Sequence, residues 1–173
     1  MALDLDQAQV SVRKLPDRPG TAAAVCRALA DAGISLDAIV QSERTHGEGQ
    51  ALSRDMSFTL RKADLGKADQ VLSALLKQWP GAHFEQGAAI ARVSAVGAGM
   101  PCTPGTAATM FRALADAGIN IELIATSEIR TSCVVPENLG VQALQVVHGA
   151  FGLGGTTVHL AHGTEAPLVA KQP

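Results

Sequence analysis

The stretch Arg27-Ala28-Leu29-Ala30-Asp31-Ala32-Gly33-Ile34 recurs unchanged as Arg112-Ala113-Leu114-Ala115-Asp116-Ala117-Gly118-Ile119, 85 positions further along the chain. The identity extends outward, because 16 of the 25 positions from Pro19 to Glu43 equal those from Pro104 to Glu128. Solenoid proteins repeat every 20–50 residues or so and need several copies. A longer period with only two copies predicts a duplicated small domain.

Each copy begins with a Pro-Gly turn and continues as an alanine-rich helix. Apolar residues recur at helical spacing, namely Val25, Ala28, Leu29 and Ala32 in the first copy and Met110, Ala113, Leu114 and Ala117 in the second. We predict that Thr21 and Thr106 cap these helices at their N-termini. We also predict that Gly33 and Gly118 end them in the left-handed conformation.

Strand-like segments and a second helix complete each copy. The predicted strands of the first copy are Gln9–Leu15, Ile34–Val40, Met56–Leu60 and Ala82–Gln86, with a second helix over Leu65–Lys77. The predicted strands of the second copy are Ile90–Val96, Ile119–Ile124, Ser132–Val135 and Thr156–Ala161, with a second helix over Leu139–Phe151. The order βαββαβ predicts an α+β, ferredoxin-like unit, with an antiparallel sheet and both helices on one face.

These elements predict a first domain over residues 8–87, a second over 88–162 and a disordered tail over 163–173. The sequence leaves open which domain owns the strand Thr156–Ala161.

Composition excludes several classes of function. A net charge of −2 with mixed signs and only 3% aromatic residues argue against a nucleic-acid surface. No apolar stretch is long enough to span a bilayer, and the acidic N-terminus does not resemble a signal peptide. Three widely spaced cysteines are typical of reduced thiols. We therefore expect a cytoplasmic protein that binds neither nucleic acid nor membrane.

No catalytic, metal or cofactor motif stands out in the sequence. Gly97-Ala98-Gly99 lacks the helix-opening glycine of a dinucleotide fingerprint. His159 and His162, three apart on a predicted strand, would not share a face. We predict no catalytic residue, no metal and no cofactor, while a triad assembled only in space stays an open alternative.

The turn that leads into the first repeated helix can bind a small molecule. Main-chain N–H groups at a helix N-terminus suit a carboxylate, and Asp17 just upstream suits an ammonium group. The alternative is an ordinary Pro-Gly turn with Asp17 facing solvent. The second turn has Cys102 where the repeat places Asp17, so we expect two non-equivalent sites.

Several segments in this order resemble the regulatory half of aspartate kinase, and specifically its separate β subunit. They are Pro16-Asp17-Arg18-Pro19-Gly20, Val96-Gly97-Ala98-Gly99-Met100, Asn120-Ile121-Glu122-Leu123-Ile124, Thr126-Ser127-Glu128-Ile129-Arg130 and Leu153-Gly154-Gly155. The resemblance covers about Ala8 to Gly155 and implies two ACT domains, the amino-acid-sensing βαββαβ module. In that family, threonine, lysine or both bind between paired ACT domains and inhibit aspartate phosphorylation, which controls synthesis of lysine, threonine and methionine.

The resemblance also implies site residues. Those for threonine are Asp17, Pro19, Gly20, Thr21, Ala22, Gln41, Asn120 and Ile121. Those for a second effector site are Asp37, Met100, Thr106, Ala107, Ser127 and Glu128. Pro101-Cys102-Thr103 departs from the family pattern at the second site, and the hairpin Glu43–Arg54 is longer than usual.

No kinase domain accompanies these segments. The resemblance therefore implies a non-catalytic chain that forms a homodimer and pairs with the catalytic α subunit. The alternatives are a stand-alone ACT-domain sensor with another partner and, less in keeping with the motifs, an enzyme.

Overall fold

The computed structural model describes residues 1–42, 52–97 and 105–153. The chain divides into two compact units. The first unit is Gln7–Ala88, and the second unit is Met1–Asp6 together with Ala89–Pro173. The predicted first domain, 8–87, is shorter than the first unit by one residue at each end. Met1–Asp6 lies outside both predicted domains, yet it belongs to the second unit.

The first unit contains a four-stranded sheet and two helices. Its elements are β1 (Ala2–Pro16, from Gln7 onward), α1 (Thr21–Asp31), β2 (Ile39–Gln41), β3 (Ser53–Arg61), α2 (Leu65–Leu75) and β4 (His83–Val96, up to Ala88), with 3₁₀ turns at Lys62–Asp64 and Leu76–Gln78. The strand order is β2-β3-β1-β4, and β3 runs antiparallel to both β1 and β2.

The second unit repeats this plan. Its remaining elements are α3 (Thr106–Asp116), β5 (Leu123–Ser127), β6 (Arg130–Pro136) and α4 (Gly140–Ala150), with a 3₁₀ turn at Glu137–Leu139. The strand order is β5-β6-β4-β1, and β6 runs antiparallel to both β4 and β5. Comparison with the first unit shows that residues 2–6 occupy the place of the fourth strand. The predicted fourth strand, Thr156–Ala161, and the predicted tail lie outside the described residues.

Each unit has its own apolar core between sheet and helices, as the helical spacing predicts. The first contains Ala8, Val10, Val12, Leu15, Val25, Leu29, Ile34, Met56, Phe58, Leu60, Ala68, Leu72, Leu76 and Trp79. The second contains Leu3, Ala91, Val93, Ala95, Met110, Leu114, Ile119, Cys133, Val135, Ala143, Leu144 and Val147. The predicted α+β class with two sheet-and-helix modules is confirmed. The first unit has the chain order βαββαβ, whereas the described elements of the second unit run ββαββα because its first strand comes from residues 2–6.

A β-bulge in β1 directs the chain towards the turn before α1. The register with β3 shifts between Val12 and Leu15, so Arg13 and Lys14 together face Asp55. Lys14 has a φ of 55°, and its N–H donates to Asp55 Oδ1 at 2.9 Å. Arg13 donates to Asp55 and Glu85, and these carboxylates raise the pKa of the Arg13 guanidinium. The extra residue restores Leu15 to the core face.

Two predicted strand positions are wrong for the same reason. Residues 34–38 and 119–122 are not strands, since β2 begins at Ile39 and β5 at Leu123. Instead, Ile34 and Ile119 donate their N–H groups to Leu29 and Leu114, which closes the preceding helix. The apolar residues Ile34 and Ile119, which in the sequence looked like the start of an alternating strand, therefore belong to the C-terminal ends of the two helices. Separately, the predicted strands Ala82–Gln86 and Ile90–Val96 form the single strand β4.

The predicted threonine caps are also wrong. Gly20 and Gly105 occupy the N-cap positions with φ of 91° and 96°, and neither helix has a side-chain cap. Thr21 and Thr106 are the first helical residues. The predicted helix-ending glycines are confirmed, since Gly33 and Gly118 have φ of 72° and 69°.

Candidate effector site

The turn between β1 and α1 presents main-chain donors. Asp17 N donates to Leu52 O at 3.0 Å, which anchors the turn to the start of β3, and Thr21 N donates to Arg18 O. The first bond within the helix runs from Ala24 N to Gly20 O. Because no side chain caps α1 and the first amides of a helix have no partner within it, the Ala22 and Ala23 N–H groups face outward from the helix start. This arrangement suits an anion.

Asp17 does not face open solvent, contrary to the alternative of an ordinary turn. Its side chain is 12% exposed, and its Oδ1 accepts a hydrogen bond from Arg54 Nε at 2.7 Å. Arg54 also donates from Nη1 to Ser42 O at 3.1 Å. The guanidinium therefore joins the turn before α1 to the end of β2.

Gln41 is the last residue of β2 and lies opposite Met56 of β3. Its neighbour Ser42 is held by Asp55, which donates its N–H to Ser42 Oγ at 2.9 Å and accepts from Ser42 N at 2.8 Å. Arg54 thus links Asp17 to the end of β2, where Gln41 lies. Sequence reasoning missed Arg54, because its partner lies 37 residues away and no local motif marks the pair.

An open pocket of about 470 Å³ lies at the start of α1. It is lined by Arg18, Pro19, Gly20, Thr21, Ala24, Gln78 and Trp79. Three predicted site residues are among them, whereas Ala22 and Asp17 are not. Gln78 ends the 3₁₀ turn that follows α2, and Trp79 is the next residue. Sequence reasoning missed both because only the packing of α2 beside α1 brings this segment to the start of α1.

The remaining predicted residues of the first site belong to the second unit. Asn120 is exposed and Ile121 half-buried, and both lie between α3 and β5. They follow Ile119, which is buried in the core of this unit.

The second predicted site divides between the two units. Asp37, in the first unit, donates its N–H to Thr59 O at 2.9 Å and lines a pocket of about 200 Å³ with Gln7 and Arg61. In the second unit, Thr106 and Ala107 begin α3, Ser127 ends β5 and Glu128 is exposed in the following turn. Met100 lies outside the described residues.

The described residues contain neither a metal-binding cluster nor a membrane-spanning helix. Within residues 1–42, 52–97 and 105–153, no three His, Cys, Asp or Glu side chains approach closely enough to hold a metal ion. In that same part of the chain, no helix has the length and apolar character needed to cross a membrane.

Comparison with known proteins identifies the family of the chain. Residues 8–77 and 93–151 each match the ACT domain family, so the chain is a tandem ACT-domain protein. Aspartokinase from Thermus thermophilus is 42% identical over 153 residues, which cover 88% of this chain and 37% of that protein. This chain therefore spans little more than a third of the length of that curated relative.

Solved structures place the match in the regulatory region. The ligand-free regulatory subunit of aspartate kinase from Thermus thermophilus is 42% identical, with a TM-score of 0.78 over 87% of this chain and 95% of that one. A structure of aspartokinase alpha and beta subunits is 38% identical, with a TM-score of 0.77 over 87% and 96% of the two chains. The chain belongs to the aspartate kinase family and corresponds to its regulatory ACT-domain part.

Proposed function

We propose that this chain is a non-catalytic regulatory subunit that binds threonine, with lysine as the alternative effector, for feedback inhibition of aspartate phosphorylation. One observation carries the proposal. The ion-paired carboxylate of Asp17 lies four residues before the uncapped N-terminus of α1. A free amino acid needs an anion site and a carboxylate a few ångströms apart, and this turn offers both.

Each charged group of the ligand has a partner in this arrangement. The α-carboxylate accepts from the amides at the start of α1, aided by the positive end of the helix dipole. The ammonium group donates to Asp17. The bond from Arg54 does not prevent this, because a carboxylate accepts several hydrogen bonds at once.

The proposed site needs a second chain to be complete. Gln41 is the last residue of β2, and the next residue, Ser42, shares Arg54 as a partner with Asp17. In the proposed site, Asn120 and Ile121 of a partner chain cover the ligand. Homodimerisation supplies them, and so does pairing with a catalytic α subunit that carries the same regulatory sequence. The solved structure of aspartokinase alpha and beta subunits supports such pairing.

Inhibition then follows from differential affinity. The effector stabilises whichever arrangement of paired regulatory chains binds it more tightly, and such coupling is typically about 1–3 kcal/mol. The second site, around Asp37, Thr106, Ala107, Ser127 and Glu128, is the proposed position for lysine. Met100 completes that proposed set.

Calorimetric titration tests the proposal directly. Threonine should release or absorb heat on binding the full chain, and Asp17→Asn should weaken the affinity at least tenfold, because a hydrogen bond to a charged group contributes about 1.5–3 kcal/mol. Asp31→Asn is the matched control, since Asp31 is an exposed residue of the same unit that pairs with Arg27. Absence of heat with both threonine and lysine at millimolar concentration would contradict the proposal.

Co-purification tests the partner. The tagged chain should capture an aspartate kinase catalytic subunit from cell extract, and threonine should inhibit the captured activity. Capture of a different enzyme by a chain that still binds threonine would favour the stand-alone sensor.

A further inference from the structure

Two buried polar atoms near the start of α1 have no hydrogen-bond partner among the described residues. Thr21 is 6% exposed and Trp79 is 5% exposed, and within the described part of the chain neither Thr21 Oγ1 nor Trp79 Nε1 has a hydrogen-bond partner. Burial of polar groups without partners is unfavourable, and native proteins satisfy nearly all of them. A group from outside the described residues is therefore expected at both atoms.

Both residues line the same pocket, together with Arg18 and Gly20. The indole N–H of Trp79 can only donate, the Thr21 hydroxyl can donate, and Arg18 adds a guanidinium. The uncapped start of α1 contributes main-chain donors and the positive end of its dipole. Among the described residues, the lining contains no Asp or Glu. A wall of donors without an acid is complementary to an anion.

The position of Trp79 is well determined by its surroundings. The residue follows the 3₁₀ turn Leu76–Gln78, and its N–H donates to Leu76 O at 2.9 Å. Its ring belongs to the core of the first unit. The indole N–H is therefore held in place before any ligand arrives, which lowers the entropic cost of binding.

We propose that Trp79 and Thr21 are carboxylate-binding residues of the effector pocket. In this arrangement Trp79 Nε1–H and the Thr21 hydroxyl donate to the α-carboxylate of the amino acid that lies at the start of α1. The inference rests on the proposed function. It gives Thr21, which the family resemblance already implies, a specific role, and it adds Trp79, which the resemblance does not imply.

The test compares the full chain with three variants of it. Thr21→Val removes one donor while preserving shape, and Trp79→Phe removes the other donor with a smaller aromatic ring. Each should weaken threonine binding by about tenfold in calorimetry. Thr21→Ser keeps the hydroxyl and should retain near-normal affinity. L-Threoninol lacks the carboxylate, so the Trp79→Phe variant and the unmodified chain should bind it with equal affinity.

Thr59→Val is the matched control. Thr59 is 1% exposed, its Oγ1 also has no partner among the described residues, and it lies in β3 outside the pocket. The affinity of this variant for threonine should equal that of the unmodified chain. Because Trp79 is the only tryptophan, its fluorescence reports on the pocket itself and should change as threonine saturates the unmodified chain.

The outcomes separate the two proposals. If threonine binds normally to both Thr21→Val and Trp79→Phe, a buried water satisfies these atoms and the inference is overturned, while the proposed function stands. If neither threonine nor lysine binds the unmodified chain, the proposed function fails and the inference fails with it.

Discussion

Arg54 is the residue whose contacts do most to connect the parts of the candidate site. Its Nε is 2.7 Å from Asp17 Oδ1, and its Nη1 is 3.1 Å from Ser42 O. The guanidinium fork reaches both groups at once, which the single ammonium of a lysine could not reproduce. Asp17 and the end of β2 therefore share one guanidinium as their common partner.

Replacement of Arg54 tests this role. We expect Arg54→Met to weaken threonine binding about tenfold, because Asp17 and the end of β2 lose their common partner. Calorimetry measures the effect, with Arg27→Met as the control, since Arg27 is exposed and pairs with Asp31 within α1. Tighter binding in Arg54→Met would show instead that Arg54 competes with the ligand ammonium.

Cys133 makes the stability of the second unit depend on pH. Burial raises the pKa of its thiol from 9.0 to about 11, because the thiolate is poorly solvated in the core. The folded state therefore holds this proton more tightly than the unfolded state does. The associated stabilisation is complete below pH 9 and is lost as the pH rises through about 11.

Urea unfolding measures this dependence. Between pH 8 and pH 10 the unfolding free energy of the unmodified chain should fall by about 1 kcal/mol more than that of Cys133→Ala. The comparison removes groups common to both proteins, including Cys26. Equal falls in the two proteins would show that the thiol ionises in the folded state as readily as in the unfolded state.

At the scale of elements, the two copies of the repeat form helices of the same length with the same kind of ends. Helices α1 and α3 each have 11 residues, begin after a left-handed glycine and end before another. Their partner helices, α2 and α4, differ in how closely their glycines are packed: a Cβ on Gly66 of α2 would meet nothing within 4 Å. In α4, a Cβ on Gly140 would lie 2.6 Å from Ala91 Cβ, so this helix approaches the sheet more closely than a side chain permits.

Two glycines of α4 provide a matched pair of substitutions. Gly140→Ala should destabilise the chain by about 1–3 kcal/mol, because the added methyl group overpacks the contact with β4. Gly149→Ala meets nothing within 4 Å and should stabilise it by about 0.4–1 kcal/mol through reduced unfolded-state entropy. Chemical denaturation distinguishes them, and a stabilising Gly140→Ala would show that α4 can move away from the sheet freely.

At the scale of the whole molecule, the two units are not consecutive segments. Residues Met1–Asp6 belong to the second unit, where Leu3 is buried in the core and Asp4 Oδ2 lies 3.0 Å from Arg92 Nη2. Burial lowers the pKa of Arg92 despite this partner. The first unit therefore lies, in sequence, within the second.

Truncation of Leu3 tests this interleaving. Leu3→Ala should destabilise the second unit by about 2–5 kcal/mol, because it leaves a cavity in that core. Amide hydrogens of α4 and β6 should lose protection from exchange in Leu3→Ala. Protection should change little in Ile129→Ala, because Ile129 is an exposed residue of the same unit. Unchanged protection of α4 in Leu3→Ala would contradict the assignment of residues 1–6 to this unit.

The sequence by itself determined what depends on local periodicity and on the repeat. The helical faces with Val25, Leu29, Met110 and Leu114, the left-handed Gly33 and Gly118, and the βαββα order that both copies share all follow from interactions between near neighbours. Family resemblance then named Asp17, Gly20 and Thr21, which lie on one turn and need no distant partner to be recognised.

Only the tertiary structure decided the contacts between distant segments. It placed Arg54 against Asp17, Trp79 beside Thr21, and the N-terminal residues 2–6 in the sheet of the second unit. The physical reason is that strand pairing and helix packing bring together groups that are far apart in the sequence. No local spacing of residues predicts such contacts. The alternation after Gly33 was misleading because an apolar residue that closes a helix and one that begins a strand look alike until their hydrogen-bond partners are known.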